Sequence, residues 1–192
     1  MKCSVYIATS ADGYIAKPDG AIDWLHTTGN LEADLGSEDM GWHSFIESVD
    51  CMIMGRKSMD SIGSMNLTPE QWPYGDMNII VLSRTVKIPP TSFHSETEMY
   101  SGDIAELVKD LDARGYKHAY IDGGETITSF IELGLINEMT ITQVPVLLGD
   151  GVPLFGNLKI YHMKKILVTR KLLNDCEDKA NKTFEAKSSR QP

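Results

Sequence analysis

Short apolar runs and segments with helical periodicity alternate along the chain, and this alternation predicts its secondary structure. β-Branched or apolar runs bounded by turn residues are typical of strands. Several of the runs are separated by helical patterns, so strands and helices are expected to alternate. The runs lie at Lys2–Ala8, Cys51–Met54, Asn78–Leu82, His118–Ile121, Glu138–Leu148, Lys159–Arg170 and Lys179–Lys187.

The clearest helical pattern lies in residues 102–115. Its apolar residues recur at positions i, i+3, i+4 and i+7, and Gly115 follows as a stop signal. The segments Ser37–Asp50 and Gly123–Gly134 also space their apolar residues as a helix does. Three helices are therefore expected between the strands.

The order of these elements indicates an α/β protein with a mixed, mainly parallel central sheet. Strands that alternate with helices through about residue 135 need crossover connections, which make neighbouring strands parallel. The consecutive strand signals after that point predict antiparallel C-terminal strands. Residues 1–187 are expected to form a single domain and residues 188–192 a frayed tail.

Composition narrows the classes of function. Hydrophobic residues make up 42% of the 192-residue chain and charged residues 23%, as in globular proteins. The net charge of −9 argues against a nucleic acid or anionic membrane as partner, because such partners need an excess of Lys and Arg. No apolar run approaches the ~18 residues of a membrane span, and Cys3, Cys51 and Cys176 lack zinc or redox spacing. We therefore expect a cytoplasmic protein in a reducing compartment, with no metal site.

Positive charge directly follows two of the predicted strands. Gly55–Ser58 follows the second strand, and Ser83-Arg84 follows the third. Ligands of open parallel sheets bind beyond the carboxyl ends of the strands, where helix N-termini and guanidinium groups can hold phosphate. Either arginine alone could simply solvate a strand end. Two such residues in neighbouring loops can instead converge on one polyanion.

A glycine turn and a long loop complete the candidate site. Asp122–Thr126 leaves the backbone bare at a strand-to-helix turn, which lets a pyrophosphate approach, although many tight turns also contain glycine. Thr9–Trp24 contains two Asp-Gly turns and could close over a ligand, or could be an ordinary surface loop.

The sequence shows neither an activated nucleophile nor a metal-binding pattern. The histidines lack metal-ligand spacing, and no Ser or Cys lies in a nucleophile elbow. The glycine fingerprint of doubly wound dinucleotide-binding folds and the phosphate loop of nucleotide triphosphatases are both missing. The chemistry would then come from a bound cofactor, and polyanion-binding loops around a sheet favour a nicotinamide dinucleotide.

Five motifs in order give the chain a family resemblance from about residue 2 to 187. They read SADGYIA with DGAIDW, IMGRKSM, IIVLSR, YIDGGETI, and GLINEMTITQVPVLLGDGVPLF. The chain resembles the dihydrofolate-reductase-like superfamily, in particular the branch related to the reductase domain of bacterial riboflavin biosynthesis. This resemblance implies a three-layer fold, a homodimer and NADPH as cofactor.

The resemblance also implies a role for individual residues. A phosphate-binding helix start would consist of Gly55, Arg56, Lys57 and Ser58, and the adenosine 2′-phosphate would lie near Ser83 and Arg84. The pyrophosphate would lie along Gly123, Gly124, Glu125 and Thr126, and the nicotinamide would be flanked by Ala8 and Ile15.

The substrate side of the resemblance departs from both known branches. Folate enzymes carry an acid five positions after the loop tryptophan, where this chain has Gly29. The candidate catalytic carboxylate is therefore Asp23, with Glu32 and Asp34 as alternatives, and Asp23 and Trp24 are the candidate substrate contacts. Asp23 could equally be an exposed turn residue. The arginine and the Asp-Asp-Pro stretch of the riboflavin enzyme, which contribute to the sugar-phosphate site, are missing from HSFIESVD and MDSIGSMNLTPE. The resemblance therefore implies a free aminouracil or pteridine-like heterocycle as substrate.

Three functions remain open at this point. The first is an NADPH-dependent reductase of such a heterocycle, and the second is dihydrofolate reductase itself. The third is a binding or sensor protein that keeps the nucleotide site without turnover. Cofactor binding measured beside NADPH oxidation separates the last from the first two.

Overall fold

The computed structural model of the protein describes residues 1–25, 41–156, 158 and 165–170. The strands are β1 (Lys2–Ser10), β2 (Tyr14–Ala16), β3 (Cys51–Gly55), β4 (Asn78–Leu82), β5 (Thr97–Tyr100), β6 (His118–Asp122), β7 (Glu138–Val144), β8 (Val152–Pro153) and β9 (Ile166–Arg170). The α-helices are α1 (Trp42–Glu47), α2 (Arg56–Ser64), α3 (Ile104–Ala113) and α4 (Gly124–Glu132).

Seven strands form one sheet in the order β5-β4-β3-β6-β1-β7-β9, and every neighbouring pair is parallel. The registers bring the strand ends together, because Gly55 pairs with Leu82 and Met54 pairs with Asp122. The carboxyl ends of β1, β3, β4 and β6 therefore meet at one edge of the sheet.

Alternation along the central strands fills two cores, one on each face of the sheet. In β3, Cys51 and Ile53 belong to the core under α3 and α4, whereas Met52 and Met54 belong to the core under α1 and α2. A strand covered on both faces reads as a continuous apolar run, as Cys51–Met54 does. The result is three layers, with helices on both sides of the sheet.

The predicted class is confirmed as α/β with a mainly parallel central sheet. The expectation of antiparallel C-terminal strands was wrong for β7 and β9, which are parallel to their neighbours. The chain between β7 and β9 is long enough for a crossover, which returns it to the same end of the sheet. Antiparallel pairing occurs where β8 pairs with β2 in a separate two-stranded sheet. The predicted strand Lys179–Lys187 and the tail lie outside the described residues.

Most predicted boundaries differ from the observed ones by a few residues. The strand predicted to end at Leu148 ends at Val144, and the helix predicted in Ser37–Asp50 is observed at Trp42–Glu47, with residues 37–40 outside the described ranges. β5 was missed because it is short and lies at the edge of the sheet. Within the described ranges, no helix has the length and apolar character to cross a bilayer.

Candidate functional site

A large cleft opens at the edge of the sheet where the four strand ends meet. Its volume is about 1710 Å³, which exceeds the roughly 300–1,000 Å³ of a site for one drug-sized ligand. The cleft therefore has room for a dinucleotide and a second small molecule. All but one of the residues predicted from sequence line it, namely Ala8, Ile15, Asp23, Gly55, Arg56, Lys57, Ser58, Ser83, Arg84, Gly123, Gly124, Glu125 and Thr126.

Two helices point their N-termini into this cleft. α2 follows Gly55 and α4 follows Gly123, and neither helix has a side-chain cap on its first amides. The first four N–H groups of a helix have no partner within the helix and carry the positive end of its dipole. Two uncapped helix starts on adjacent strands therefore form a binding surface for an anion.

Glycine is required for these two turns to pack against each other. A Cβ atom on Gly55 would lie 2.9 Å from Oγ1 of Thr126, and one on Gly123 would collide with Oγ of Ser58. Gly123 also has a φ of 88°, in the left-handed region that side chains disfavour. The glycines thus bring the two helix starts within direct contact.

Gly124 packs against protein rather than solely facing the cleft. A Cβ atom there would lie 2.9 Å from the carbonyl oxygen of Pro153 and 3.2 Å from Cδ1 of Ile15. The sequence predicted only that this glycine turn leaves the backbone bare for a pyrophosphate. The structure shows that a side chain at Gly124 would also press on Pro153 of β8 and on Ile15 of β2.

We expect Gly124→Val to destabilise the fold, because the added atoms meet a backbone oxygen that cannot move aside. Overpacking of this kind costs about 1–3 kcal/mol, which lowers the melting temperature by several degrees in a chain of this size. Thermal unfolding measures the effect. Gly156→Val is the matched control, since a Cβ atom on Gly156 meets nothing within 4 Å. Equal melting temperatures for the two variants would contradict the proposed contact.

The cations of the cleft differ in how they are paired. Arg56 forms an ion pair with Asp60, and Nζ of Lys57 lies 2.6 Å from the Glu125 carboxylate, with all four side chains exposed. Within the described ranges no hydrogen bond or ion pair is formed by the side chain of Arg84. Exposed ion pairs are weak, so phosphate oxygens could replace both carboxylates. A phosphate that binds Arg84 would not have to displace a carboxylate of the described residues.

Ser83 fixes the loop that carries Arg84. Its Oγ accepts hydrogen bonds from the amide of Val86 at 2.9 Å and from that of Thr85 at 3.3 Å. Ser83 is itself buried, while Arg84 is exposed to the cleft. The serine therefore holds the turn and directs the arginine.

Hydrogen bonds hold the tip of the loop after β1 in place. The carboxylate of Asp12 accepts hydrogen bonds from Oγ of Ser10 at 2.6 Å and from the amides of Gly149 and Leu148 at 2.7 and 3.2 Å. The bond from Ser10 is the main reason why the pKa of Asp12 lies below its ordinary value. Pairing of β2 with β8 then holds Ile15 against the cleft. This part of the loop forms a wall of the site.

Asp122 is an acid in the cleft that the sequence reasoning did not select as catalytic. The hydroxyl of Tyr120 lies 3.2 Å from Oδ1 of Asp122 and 3.0 Å from the carbonyl oxygen of Tyr6. Burial raises the pKa of Asp122, and hydrogen bonds from Ser58 and Tyr120 oppose this rise. Burial, together with the nearby Asp122, also raises the pKa of Tyr74. Asp122 is therefore a carboxyl group that holds its proton to higher pH than an exposed acid does.

Asp23 has the opposite character. Its carboxylate is exposed and lies 2.7 Å from Nζ of Lys17, and that hydrogen bond lowers the pKa of Asp23. An ionised carboxylate has no proton to give, so Asp23 suits contact with a substrate better than proton donation. Trp24 is buried beside it and does not line the cleft, and its indole N–H has no partner among the described residues. Gly29 lies outside those residues.

The described residues contain no cluster of three or more His, Cys, Asp or Glu side chains that could hold a metal ion. The two cysteines in this part of the chain, Cys3 and Cys51, are buried in the core. Burial raises their pKa values to about 11 and about 12, so both stay protonated thiols at neutral pH.

The parallel sheet, its helices on both faces and the cleft at its carboxyl edge define a three-layer α/β domain with a ligand-sized site at the strand ends. The chain belongs to the RibD C-terminal domain family, whose sequence profile matches residues 2–178. Membership indicates an oxidoreductase-type role related to the reductase of that pathway.

Individual relatives agree with this assignment. The uncharacterized protein YwjB of Bacillus subtilis (strain 168) is 35% identical over 159 residues, which cover 82% of this chain and 84% of YwjB. The structure of a candidate riboflavin biosynthesis protein from Shewanella sp. PV-4 shares 40% identity and a TM-score of 0.73, covering 84% of this chain and 86% of that one.

A more distant neighbour shows the fold alone. It is the diaminohydroxyphosphoribosylaminopyrimidine deaminase/5-amino-6-(5-phosphoribosylamino)uracil reductase of Thermotoga maritima, at 13% identity and a TM-score of 0.57. The similarity covers 83% of this chain and 49% of that two-function protein.

Proposed function

We propose that the protein is an NADPH-dependent reductase that transfers a hydride to a small planar heterocycle of the aminouracil or pteridine type. The observation that supports this most is the convergence of two uncapped helix starts with Arg84 in one cleft. A dinucleotide with an extra phosphate matches this pattern, since it presents a pyrophosphate and a separate phosphomonoester.

The residues present fit NADPH at each of its charged parts. The amides at the starts of α2 and α4, with Ser58 between them, would hold the pyrophosphate. Arg84, positioned by Ser83, would hold the 2′-phosphate. Ala8 and Ile15, which line the cleft near the glycine turn, would flank the nicotinamide. Bound NADPH supplies the hydride.

The protein's own contribution to the chemistry centres on Asp122. Reduction of a conjugated ring adds a hydride and a proton, so a carboxyl group that keeps its proton to higher pH than an exposed acid can assist it. Burial raises the pKa of Asp122 in this direction, and Asp122 lines the cleft beside Tyr120. Asp23, ionised and exposed at another part of the wall, would accept a hydrogen bond from the N–H edge of the ring. Ile15 and the pinned loop would keep water from the reacting atoms.

Two measurements test the proposal together. We expect the protein to bind NADPH in a calorimetric titration and to oxidise it in the presence of at least one member of a panel of aminouracils and pterins. Binding without turnover on the whole panel would favour the sensor alternative. Turnover of dihydrofolate alone would favour dihydrofolate reductase. Failure to bind NADPH would remove the proposal.

We also propose that the protein forms a homodimer. Among the described strands, β9 lies at an edge of the sheet, and its residues Ile166, Leu167 and Val168 are each exposed over about half of their full surface. An exposed apolar edge strand is a template for pairing with another chain. Light scattering at micromolar concentration should give twice the 21.3 kDa mass of one chain. The mass of a single chain would rule out a stable dimer.

A further inference from the structure

An ion pair joins the starts of the two helices that point into the cleft. Lys57 is the second residue of α2, and Glu125 is the second residue of α4. Nζ of Lys57 lies 2.6 Å from Oε1 of Glu125, although 68 positions separate the two residues in the chain. Both residues line the cleft. The pair therefore lies across the surface that the two helix starts form.

The carboxylate of Glu125 lies where a bound phosphate would also be stabilised. It belongs to the first turn of α4, where free amides and the positive end of the helix dipole favour an anion. The ammonium group of Lys57 adds a full positive charge at hydrogen-bond distance. A phosphate held by Lys57 and by the start of α4 would use the same two sources of positive charge. The acid of the protein and such a phosphate would therefore compete.

The pair contributes little to the stability of the fold. The side chains of Lys57 and Glu125 are 73% and 81% exposed, and ion pairs between such exposed groups are weak because water screens the attraction. The backbone of Glu125 is held independently of the carboxylate, since Oγ of Ser129 donates a hydrogen bond to its carbonyl oxygen at 2.9 Å. The main effect of this carboxylate is therefore the negative charge that it places in the cleft.

We propose that Glu125 is an internal competitor of the cofactor pyrophosphate, and that it occupies Lys57 and the start of α4 until the cofactor displaces it. The inference rests on the proposed NADPH-dependent function and concerns how the same site holds and releases its cofactor. Glu125 then sets the affinity for every cofactor that contains a pyrophosphate, whereas Arg84 discriminates between NADPH and NADH. Release of product limits turnover in many enzymes, and an acid that returns to Lys57 as the phosphate departs favours release of the spent cofactor.

Glu125→Gln tests the competition, because it removes the charge and keeps the size of the side chain. In a calorimetric titration it should bind NADPH and NADH each roughly 5- to 10-fold more tightly than the wild type does, the scale of one unit charge placed a few ångströms from a phosphate in water. The ratio of the two affinities should stay the same, since both cofactors contain the pyrophosphate. The gain should shrink at high salt, which screens exposed charges.

Glu106→Gln is the matched control. Glu106 also lies in the first turn of a helix, α3, and it pairs with Lys109 at 2.8 Å with both side chains exposed. Neither residue lines the cleft, so the substitution removes the same charge at a distance from the site. Its affinities for both cofactors should equal those of the wild type. A gain as large as that of Glu125→Gln would reveal an effect of net charge alone and would overturn the inference.

A double-mutant cycle distinguishes competition for Lys57 from simple repulsion by Glu125. Lys57→Met keeps most of the side-chain stem and removes the ammonium group. Lys57 must leave Glu125 before it binds a phosphate, so Lys57→Met should weaken NADPH binding less in the wild-type background than in Glu125→Gln. We expect the two losses to differ by roughly 3-fold or more, as for other residues in contact. Equal losses would mean that the two residues act independently and would overturn the competition.

Failure of this inference is distinguishable from failure of the proposed function. If Glu125→Gln binds both cofactors no more tightly than a wild type that does bind NADPH, the inference alone is overturned. A gain confined to NADPH would also overturn it, because Glu125 would then act on the 2′-phosphate. If neither the wild type nor any variant binds either cofactor, the proposed function fails and the inference fails with it. Thermal unfolding without cofactor, with equal melting temperatures expected for Glu125→Gln and the wild type, shows that the variant is folded.

Discussion

Arg84→Ala should weaken NADPH binding by roughly 10- to 100-fold and leave NADH binding nearly unchanged. The reason is that Arg84 is the cation of the cleft for which the described residues offer no ion-pair partner, so its charge is available to the 2′-phosphate. Hydrogen bonds to charged groups are worth about 1.5–3 kcal/mol, which corresponds to that range. NADH lacks this phosphate and gains nothing from the guanidinium.

Equilibrium titration with both cofactors measures the effect. Arg114→Ala is the matched control, since Arg114 pairs with Glu98 at 2.9 Å and lies outside the cleft. Its removal should change neither affinity. Equal losses for NADPH and NADH in Arg84→Ala would contradict the assignment of Arg84 to the 2′-phosphate.

Asp122→Asn should lower kcat by roughly 10²-fold or more, the scale of general acid–base contributions. Asn keeps the size of the side chain and can accept the hydrogen bond from Tyr120, but it has no carboxyl proton. Cofactor affinity should stay the same. Asp76→Asn, at an exposed site away from the cleft, is the control for loss of one carboxylate.

The pH profile distinguishes a proton donor from a merely structural carboxyl group. The wild-type rate should fall as the pH rises through the raised pKa of Asp122, and the Asn variant should lose this limb. Tyr120→Phe removes a hydrogen bond that favours the ionised form, so it should move the limb to higher pH. An unchanged profile in both variants would exclude Asp122 as the donor.

The raised pKa of Asp122 also makes the free energy of unfolding depend on pH. A native pKa above the unfolded value means that the folded state binds more protons over the interval between the two values. The contribution of Asp122 to stability therefore falls as pH rises from the ordinary carboxyl range through the raised native pKa. At neutral pH, Asp122→Asn should be at least as stable as the wild type, although its kcat is lower.

The opposite pKa shifts of Asp122 and Asp23 could not be predicted from the sequence motifs that contain them. Both acids stand in motifs visible in the sequence, and Asp23 was chosen because it adjoins Trp24. The pKa of Asp122 depends on burial and on hydrogen bonds from Ser58, far away in the chain, and from Tyr120, two residues before it, whereas that of Asp23 depends mainly on Lys17, six residues away. Tyr74 and Ser58 surround the first, whereas Lys17 pairs with the second.

The sequence by itself determined the alternation of strands and helices and the position of glycines and cations at strand ends. These features are local, because apolar periodicity and turn residues act over a few positions. Since the carboxyl ends of parallel strands share one edge, the sequence also predicted that residues near Gly55, Ser83 and Gly123 would meet.

Only the tertiary structure decided how these residues are used. It placed β9 parallel to β7, paired Lys57 with Glu125 across 68 positions, and set Gly124 against the backbone of Pro153. It also enclosed Asp122 among hydroxyl groups and rings. Each of these outcomes depends on contacts between segments far apart in the chain, and no local pattern specifies desolvation or pairing over such separations.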